Sequence, residues 1–437
     1  MGDLWWYSAM IFFACRTGDV IQAFIGLWLV PKYVGPEELG AVLPLQQLAL
    51  FLTTPLAVVA TVFAKFVNVY ATKGEFGKVK SFIHDVFATA FILFVLCLAG
   101  AYAVMPFFYE RLRIASGLLT FLILLCGLTA NLSAIIAAAQ QGLKRFKTMS
   151  LMNLLGAPIR LVTLLIAMPI RALSGYMLGQ ATPAATTSFL SVIDIRRALK
   201  PYAPDRNWHR DLPEIWRYLW PYALCTLIGS FAAAMTATVY RQRLPELESA
   251  AYYMLTRFSD IASFVSGALL TILVPLASEA HEKNSEDRGL LKRSVLGTLL
   301  GATLLALVFA VIAKPLLSLV EIWRPYLPYA YLLPLITFNA GLGLAAGAIA
   351  GYEFACRRLG ATTLLVLLNL GFAAFLIAFT GCEFFRGYLP NAVVDLIASL
   401  RLARLSALTW TSFAFNSLQL ALLWFFTRRK IGVCPQR

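Results

Sequence analysis

The chain has 437 residues, of which 60% are apolar and only 14% charged. Soluble domains carry about 25% charged residues, and the mean hydropathy here is +0.75. Together these exclude a soluble enzyme, a nucleic-acid binder and a disordered tail protein, and leave a polytopic membrane protein. The net charge of +15 is then read as basic residues gathered in loops on one side of a bilayer. The first apolar run has no basic segment before it and no small-residue cleavage site after it, so it reads as a span and not as a signal peptide.

A helix needs about 20 apolar residues to cross a bilayer. Twelve such runs follow one another, near 5–29, 40–69, 82–107, 115–139, 149–169, 172–195, 218–240, 250–279, 293–319, 327–351, 360–381 and 406–427. The second and eighth are long enough to tilt or to extend beyond the membrane. The loops alternate in charge. The richer set holds Lys73, Lys78 and Lys80, then Lys144, Arg145 and Lys147, then the group from Arg196 to Arg210, then Lys283 to Arg293, Arg357 and Arg358, and Arg428 to Lys430. That set is expected to face the cytoplasm, which puts both termini there.

The expected organisation is an amino-terminal six-helix lobe over 1–197, a cytoplasmic linker over 198–217 and a carboxy-terminal six-helix lobe over 218–430. The linker carries Pro201, Pro204 and Pro213. Residues 384–405 surround Asp395, Arg401 and Arg404 with aliphatic side chains. They read either as an amphipathic helix on the outer surface or as the start of the last span.

The two lobes repeat at an offset of about 210 residues. Pro36-Glu37-Glu38-Leu39-Gly40 aligns with Pro245-Glu246-Leu247-Glu248-Ser249, and Pro106 with Pro315. An offset of an even number of spans means parallel repeats, whose two halves rock to give alternating access.

Val34-Gly35-Pro36-Glu37-Glu38-Leu39-Gly40 resembles a signature of the polysaccharide flippases in the multidrug/oligosaccharidyl-lipid/polysaccharide (MOP) exporter superfamily. Gln141 to Lys147, Asn153-Leu154-Leu155-Gly156 and Val274 to Glu279 resemble further motifs of that family, and the likeness covers about 1–380. It implies a V-shaped all-α bundle of about 12 transmembrane helices. It also implies a cargo: a saccharide on a polyprenyl diphosphate, moved from the cytoplasmic to the outer leaflet of the cell membrane for surface polysaccharide assembly. Expected partners are this lipid-linked saccharide, membrane lipids, a coupling H⁺ or Na⁺ and other polysaccharide-assembly proteins, with no nucleic acid and no cofactor. The chain departs from the family at span seven, where Ala232–Tyr240 contains no acid, and at 384–405, which reads as an insertion.

Ionisable groups inside spans cost about 2.5–3.5 kcal/mol on insertion scales and usually face a cavity. Arg16 and Asp19 fall in span one, Arg160 in span five, and Arg257 and Asp260 in span eight. Each Arg–Asp pair is three residues apart and so shares a helix face. Two readings stand for these pairs. They are ion pairs that make a buried Arg tolerable, or the guanidinium groups bind a diphosphate through their planar fork. The resemblance places cargo-lining arginines on spans one and eight, matching Arg16 and Arg257 by span and depth. Arg160 is a further candidate, and Gln47 holds the repeat position of Arg257. Asp19 and Asp260 are candidate coupling-ion sites or counter-ions. In span six Gly175, Gly179, Thr182, Pro183 and Thr187 read mainly as helix-packing residues.

An enzyme would need acid pairs, histidines or metal ligands on a reacting face. His84, His209 and His281 all lie in or beside loops, and no phosphate-cradling glycine loop occurs. The reading that competes with the flippase is an ion-coupled small-molecule exporter of the same superfamily. A major-facilitator transporter fits less well, because Thr72 to Lys78 lacks the acidic and basic pattern of that group's second loop.

Overall fold

The computed structural model describes residues 17–112, 117–143, 145–282, 288–356, 360–379 and 404–430. No strand occurs among the described residues. Helix covers 17–24, loosens into a π-helical turn at Ile25–Leu29 and continues over Val30–Tyr33; the whole is α1. There follow α2 (Pro36–Leu52), α3 (Thr54–Thr72), α4 (Phe76–Leu112), α5 (Gly117–Gly142), α6 (Phe146–Ala167) and α7 (Ala172–Leu199). Next come α8 (Leu212–Arg243), α9 (Glu246–Glu282), α10 (Arg288–Leu319), α11 (Leu333–Ala355), α12 (Gly360–Phe379) and α13 (Leu405–Lys430). Among the described residues each expected span falls on helix, the second on two helices and the first only from residue 17 onward. Among the described residues seven stretches are long and apolar enough to cross a membrane by length and composition: Phe76–Gly100, Phe121–Gln140, Lys147–Ala167, Ala223–Arg243, Gly289–Leu319, Glu321–Glu353 and Gly360–Ile377.

The second span is broken and not simply tilted. Pro55 lacks an N–H and crowds the preceding turn, and the helix interrupts at Thr53. The carbonyls near the break are taken up locally. Thr53 Oγ1 donates to Ala49 O at 2.7 Å and Thr54 Oγ1 to Leu50 O at 2.9 Å. Asn131 of α5 then donates to Thr53 Oγ1 at 2.7 Å, tying the break to its neighbour. The tenth span also differs in form. Pro325 and Pro328 turn Glu321–Leu332 into a 3₁₀ helix before α11 begins.

Contacts divide the chain into two compact units. Of the described residues, one holds those up to Ile25 and Val42–Ser230, the other Gly26–Ala41 and those from Phe231 onward.

In the first unit α5 packs on α3 and α7, and α6 packs on α7. Small residues permit the last of these contacts. A side chain at Gly179 would meet Leu164 Cδ2 at 2.2 Å, and one at Gly175 would meet Ala167 O at 2.3 Å. The segment read as a linker is largely ordered by packing on this unit. After α7 the chain turns through Asp205, which accepts from Asn207 N at 2.9 Å, into a 3₁₀ helix at Arg206–Asp211. Its Trp208 is buried beside Phe82, with ring centroids 4.9 Å apart. Tyr70 donates to Asp211 at 2.7 Å, and Asp205 N donates to Gly77 O at 3.1 Å. Arg145, from the Gln141–Lys147 motif, forms a fork to Asp194 of α7, with Nε–Oδ2 at 2.6 Å and Nη2–Oδ1 at 2.5 Å. That arginine therefore joins two helices across the turn before α6. Gly74, with φ of +76°, makes the α3–α4 turn in a conformation other residues rarely adopt.

In the second unit α11 packs on α9, α10 and α13. Pro36–Gly40 opens α2 here, against the end of α8 and the start of α9. Arg241 Nη2 donates to Glu37 O at 2.5 Å. The buried Glu248 accepts from Leu405 N at 2.7 Å and pairs with Arg404 at 3.5 Å, so an acidic side chain of α9 caps the amino end of α13. The 384–403 stretch lies outside the described residues.

Candidate functional site

The first unit contains a polar cavity of about 340 Å³ among its membrane helices. Gly18, Asp19, Ile21 and Gln22 of α1 form one wall, and Met152, Asn153, Gly156, Ala157 and Arg160 of α6 another. Ser133 of α5 and Pro183, Ala184 and Thr187 of α7 complete it. The Asn153–Gly156 motif therefore supplies the α6 wall. Its first residue brings a polar amide, and a Cβ at its last would stand 3.7 Å from the Thr187 methyl.

Arg160 lies within this cavity. Its Nη1 donates to Gln22 Oε1 at 2.6 Å, while its Nε is buried with no hydrogen-bond partner among the described residues. A guanidinium carries five donors and must find acceptors when removed from water. The cavity thus presents a cation with spare donor capacity, and Asp19 lines the same space. Gln46, not Gln47, makes the polar contact of α2 in this unit, donating to Tyr176 at 2.6 Å. Gln47 is half-buried and is not among the residues lining the cavity. Arg16 lies outside the described residues.

In the second unit Arg257 and Asp260 form the ion pair their spacing implies, at 3.1 Å. The Arg257 side chain is 17% exposed and that of Asp260 45%. The guanidinium also lies over the Tyr253 ring, 5.2 Å from its centroid, which adds a cation–π attraction. Gly26 makes room for its stem: a Cβ there would sit 3.1 Å from Arg257 Cδ. The neighbouring π-helical turn leaves the Leu27 carbonyl to Trp323, whose Nε1 donates to it at 2.6 Å. Trp323 also packs edge-on against Phe258 and Trp28. Arg257 is therefore held by aromatic and small residues around the α1 turn.

A second polar group in this unit was not foreseen. Asn339 of α11 donates to Ser412 of α13 at 3.0 Å and accepts from Asn416 at 2.8 Å. Further along α13, Gln419 donates to Asn369 of α12 at 3.2 Å. Each of these residues is uncharged and lies in a largely apolar stretch. The available signal was the spacing of Ser412, Asn416 and Gln419 along one face of a helix.

No protein-family model matches the sequence, and no curated protein matches it by sequence. Solved structures do match over nearly the whole chain. One is an inward-facing multidrug-resistance MATE-family transporter of the MOP superfamily, 16% identical over 93% of this chain and 95% of its own, with a TM-score of 0.59. A second is the MATE transporter ClbM in complex with Rb⁺, 12% identical over 96% and 94%, with a TM-score of 0.61. A third is the lipid II flippase MurJ in an inward closed conformation, 13% identical over 97% and 100%, also at 0.61. The chain has the fold of the MOP-superfamily transporters. It is an all-α multi-pass membrane protein, and these three structural neighbours are two transporters and a flippase.

Proposed function

We propose that this chain is a MOP-type flippase that carries a polyprenyl-diphosphate-linked oligosaccharide from the cytoplasmic to the outer leaflet of the cell membrane. It works by alternating access, with both termini cytoplasmic, and serves cell-surface polysaccharide assembly. The observation that carries the reading is Arg160, a guanidinium on the wall of a polar cavity inside membrane helices whose buried Nε has no hydrogen-bond partner among the described residues. Insertion of an Arg at such depth costs about 2.5–3.5 kcal/mol, which an anionic cargo group would offset. Arg257 offers a second, ion-paired guanidinium, and Arg16 is the remaining candidate. Bidentate binding of phosphate oxygens suits arginine in particular. The sequence motifs point to the same cargo class, and the flippase among the structural neighbours agrees with it.

A second reading is supported by the volume of the cavity. At about 340 Å³ it suits an ion or a small organic molecule better than an oligosaccharide. With Asp19 on its wall, this is how an ion-coupled exporter would be built.

The test is transport in proteoliposomes. A fluorescent polyprenyl-diphosphate saccharide is reconstituted with wild-type protein and with Arg16→Ala, Arg160→Ala and Arg257→Ala at matched protein density. Flipping by the wild type and its loss in the folded variants is the expected result. No flipping across several glycans, with ion-driven uptake of a small organic cation instead, would replace this reading with the second.

A further inference from the structure

A larger opening, of about 720 Å³, lies elsewhere in the first unit, at the end of α4 and α7 that carries the basic residues. It exists because α4 and α7 each pack on α5 but scarcely touch one another. Leu132 of α5 floors the gap. Ile83 and Phe87 of α4 and Val192, Ile195 and Leu199 of α7 form apolar walls. Lys80, His84, Arg196 and Lys200 also line it, and no acid does.

The acids nearby already have partners, one of them His84 of the crevice itself. Asp85 contacts His84 at 3.2 Å, accepts from Trp208 Nε1 at 3.2 Å and lies 3.8 Å from His209. Asp194 is taken by Arg145. Lys80 uses one of its three donors on Tyr202 O, at 2.7 Å, and this fixes its ammonium beside the crevice. Arg196 near the end of α7 and Lys200 just past it, four residues on, are exposed. The opening is therefore amphipathic, basic at its polar residues and aliphatic along its walls.

The apolar walls also continue along both helices. On α4, Phe87 is followed at helical spacing by Phe91, 69% exposed, and then by Val95, 48% exposed. On the antiparallel α7, Val192 leads back to Phe189, 67% exposed. Large apolar side chains left bare along a membrane helix suit contact with lipid tails. A headgroup bound at the basic residues would so have a ready track for its acyl chains.

We propose that this crevice binds an anionic phospholipid, with the phosphate held by Lys80, Arg196 and Lys200 and an acyl chain lying in the cleft over Leu132. Basic pockets between membrane helices on the cytoplasmic side bind anionic headgroups in this manner. The site is separate from the Arg160 cavity, and no residue lines both. The inference stands whichever cargo the protein carries.

The test is thermal unfolding of the purified full-length protein in detergent, titrated with phosphatidylglycerol, with phosphatidylcholine of the same acyl chains, and with inorganic phosphate. Phosphatidylglycerol raises Tm and saturates, whereas the other two have little effect. The double variant Arg196→Gln/Lys200→Gln, both positions exposed, keeps its lipid-free Tm but binds phosphatidylglycerol about tenfold more weakly or worse. Leu132→Trp, which fills the floor, weakens binding without changing charge. Equal stabilisation by phosphatidylcholine overturns the headgroup assignment, and a full effect of inorganic phosphate removes the acyl-chain cleft. Unchanged phosphatidylglycerol binding in the double variant overturns the site.

Discussion

Gly40 and Ser249, which hold equivalent places in the internal repeat, meet one another. Ser249 Oγ donates to Gly40 O at 3.3 Å. The two segments aligned from sequence, Pro36–Gly40 and Pro245–Ser249, thus pack directly on each other. The contact also explains the glycine. A Cβ at position 40 would fall 2.3 Å from Ser249 Oγ, 2.7 Å from its Cβ and 3.0 Å from Arg241 Nη1. Arg241 is needed in that place because it holds the Glu37 carbonyl at the start of α2.

Gly40→Ala should therefore destabilise the protein by about 1–3 kcal/mol, the usual cost of forcing atoms into a packed site. Adding Ser249→Gly should recover part of that loss, because it removes the atoms struck. Thermal unfolding of the single and double variants measures both effects. A double variant no better than Gly40→Ala would show that this contact is not the source of the cost.

Trp208 should anchor the connection between α7 and α8. It is buried against Phe82 and donates to Asp85. Trp208→Ala should cost about 3 kcal/mol and make the 200–212 segment sensitive to protease. Trp208→Phe keeps the packing but loses the indole donor, and should cost about 1 kcal/mol. Limited proteolysis alongside unfolding separates the two. A Trp208→Ala protein as resistant as wild type would mean the segment is held by other contacts.

The helices were legible because a span is a property of composition: about 20 apolar residues announce it wherever they occur. The broken second span was less so. Pro55 was visible, but the tie from Asn131 to Thr53 joins residues 78 apart, and no local pattern reveals it. The 198–217 segment read as a linker because prolines and charges dominate it. Its order comes from Trp208, Asp205 and Asp211 finding partners on α3 and α4, which sequence does not display. At the candidate site, the Arg257–Asp260 pair followed from helical spacing alone. The cavity around Arg160 did not, because its walls come from four helices. Gln22, the hydrogen-bond partner of Arg160 among the described residues, was indistinguishable in sequence from any other polar residue near a span.

The seam joining Asn339, Ser412 and Asn416 should contribute modestly to stability. Hydrogen bonds between membrane helices measure about 0.6 kcal/mol on average and reach about 1.7. Asn416→Leu should stay within that range, and Asn339→Leu, which removes partners for two residues, should exceed it. Chemical unfolding of both variants checks the order. A far larger loss of transport than of stability in either would give the seam a role in the transport cycle.

Arg160→Ala should abolish transport yet leave a folded protein, because the side chain forms no ion pair whose loss would strand an acid among its described hydrogen-bond partners. Arg257→Ala should behave differently. It strips the charge partner from Asp260 and the cation from the Tyr253 ring, so stability should fall together with activity. Arg257→Lys keeps the charge but not the planar fork. If the arginine binds phosphate oxygens, Arg257→Lys should regain stability and not transport. Full transport by Arg257→Lys would reduce Arg257 to a structural ion pair.

Replacing Asp19 tests whether the small cavity is tied to an ion gradient. A carboxylate in a cavity within membrane helices is a default proton or sodium site, and Asp19 shares its cavity with Arg160. Asp19→Asn keeps the size and removes the charge. If Asp19 carries the coupling ion, transport by this variant should fall to the level the wild type shows without a gradient, while substrate binding persists. If Asp19 is only a counter-ion, Asp19→Asn should weaken substrate binding or stability and leave the gradient dependence intact. The measurement is uptake into vesicles with and without an imposed proton or sodium gradient, with Asp260→Asn run in parallel. Unchanged gradient dependence in both variants would exclude both acids from coupling.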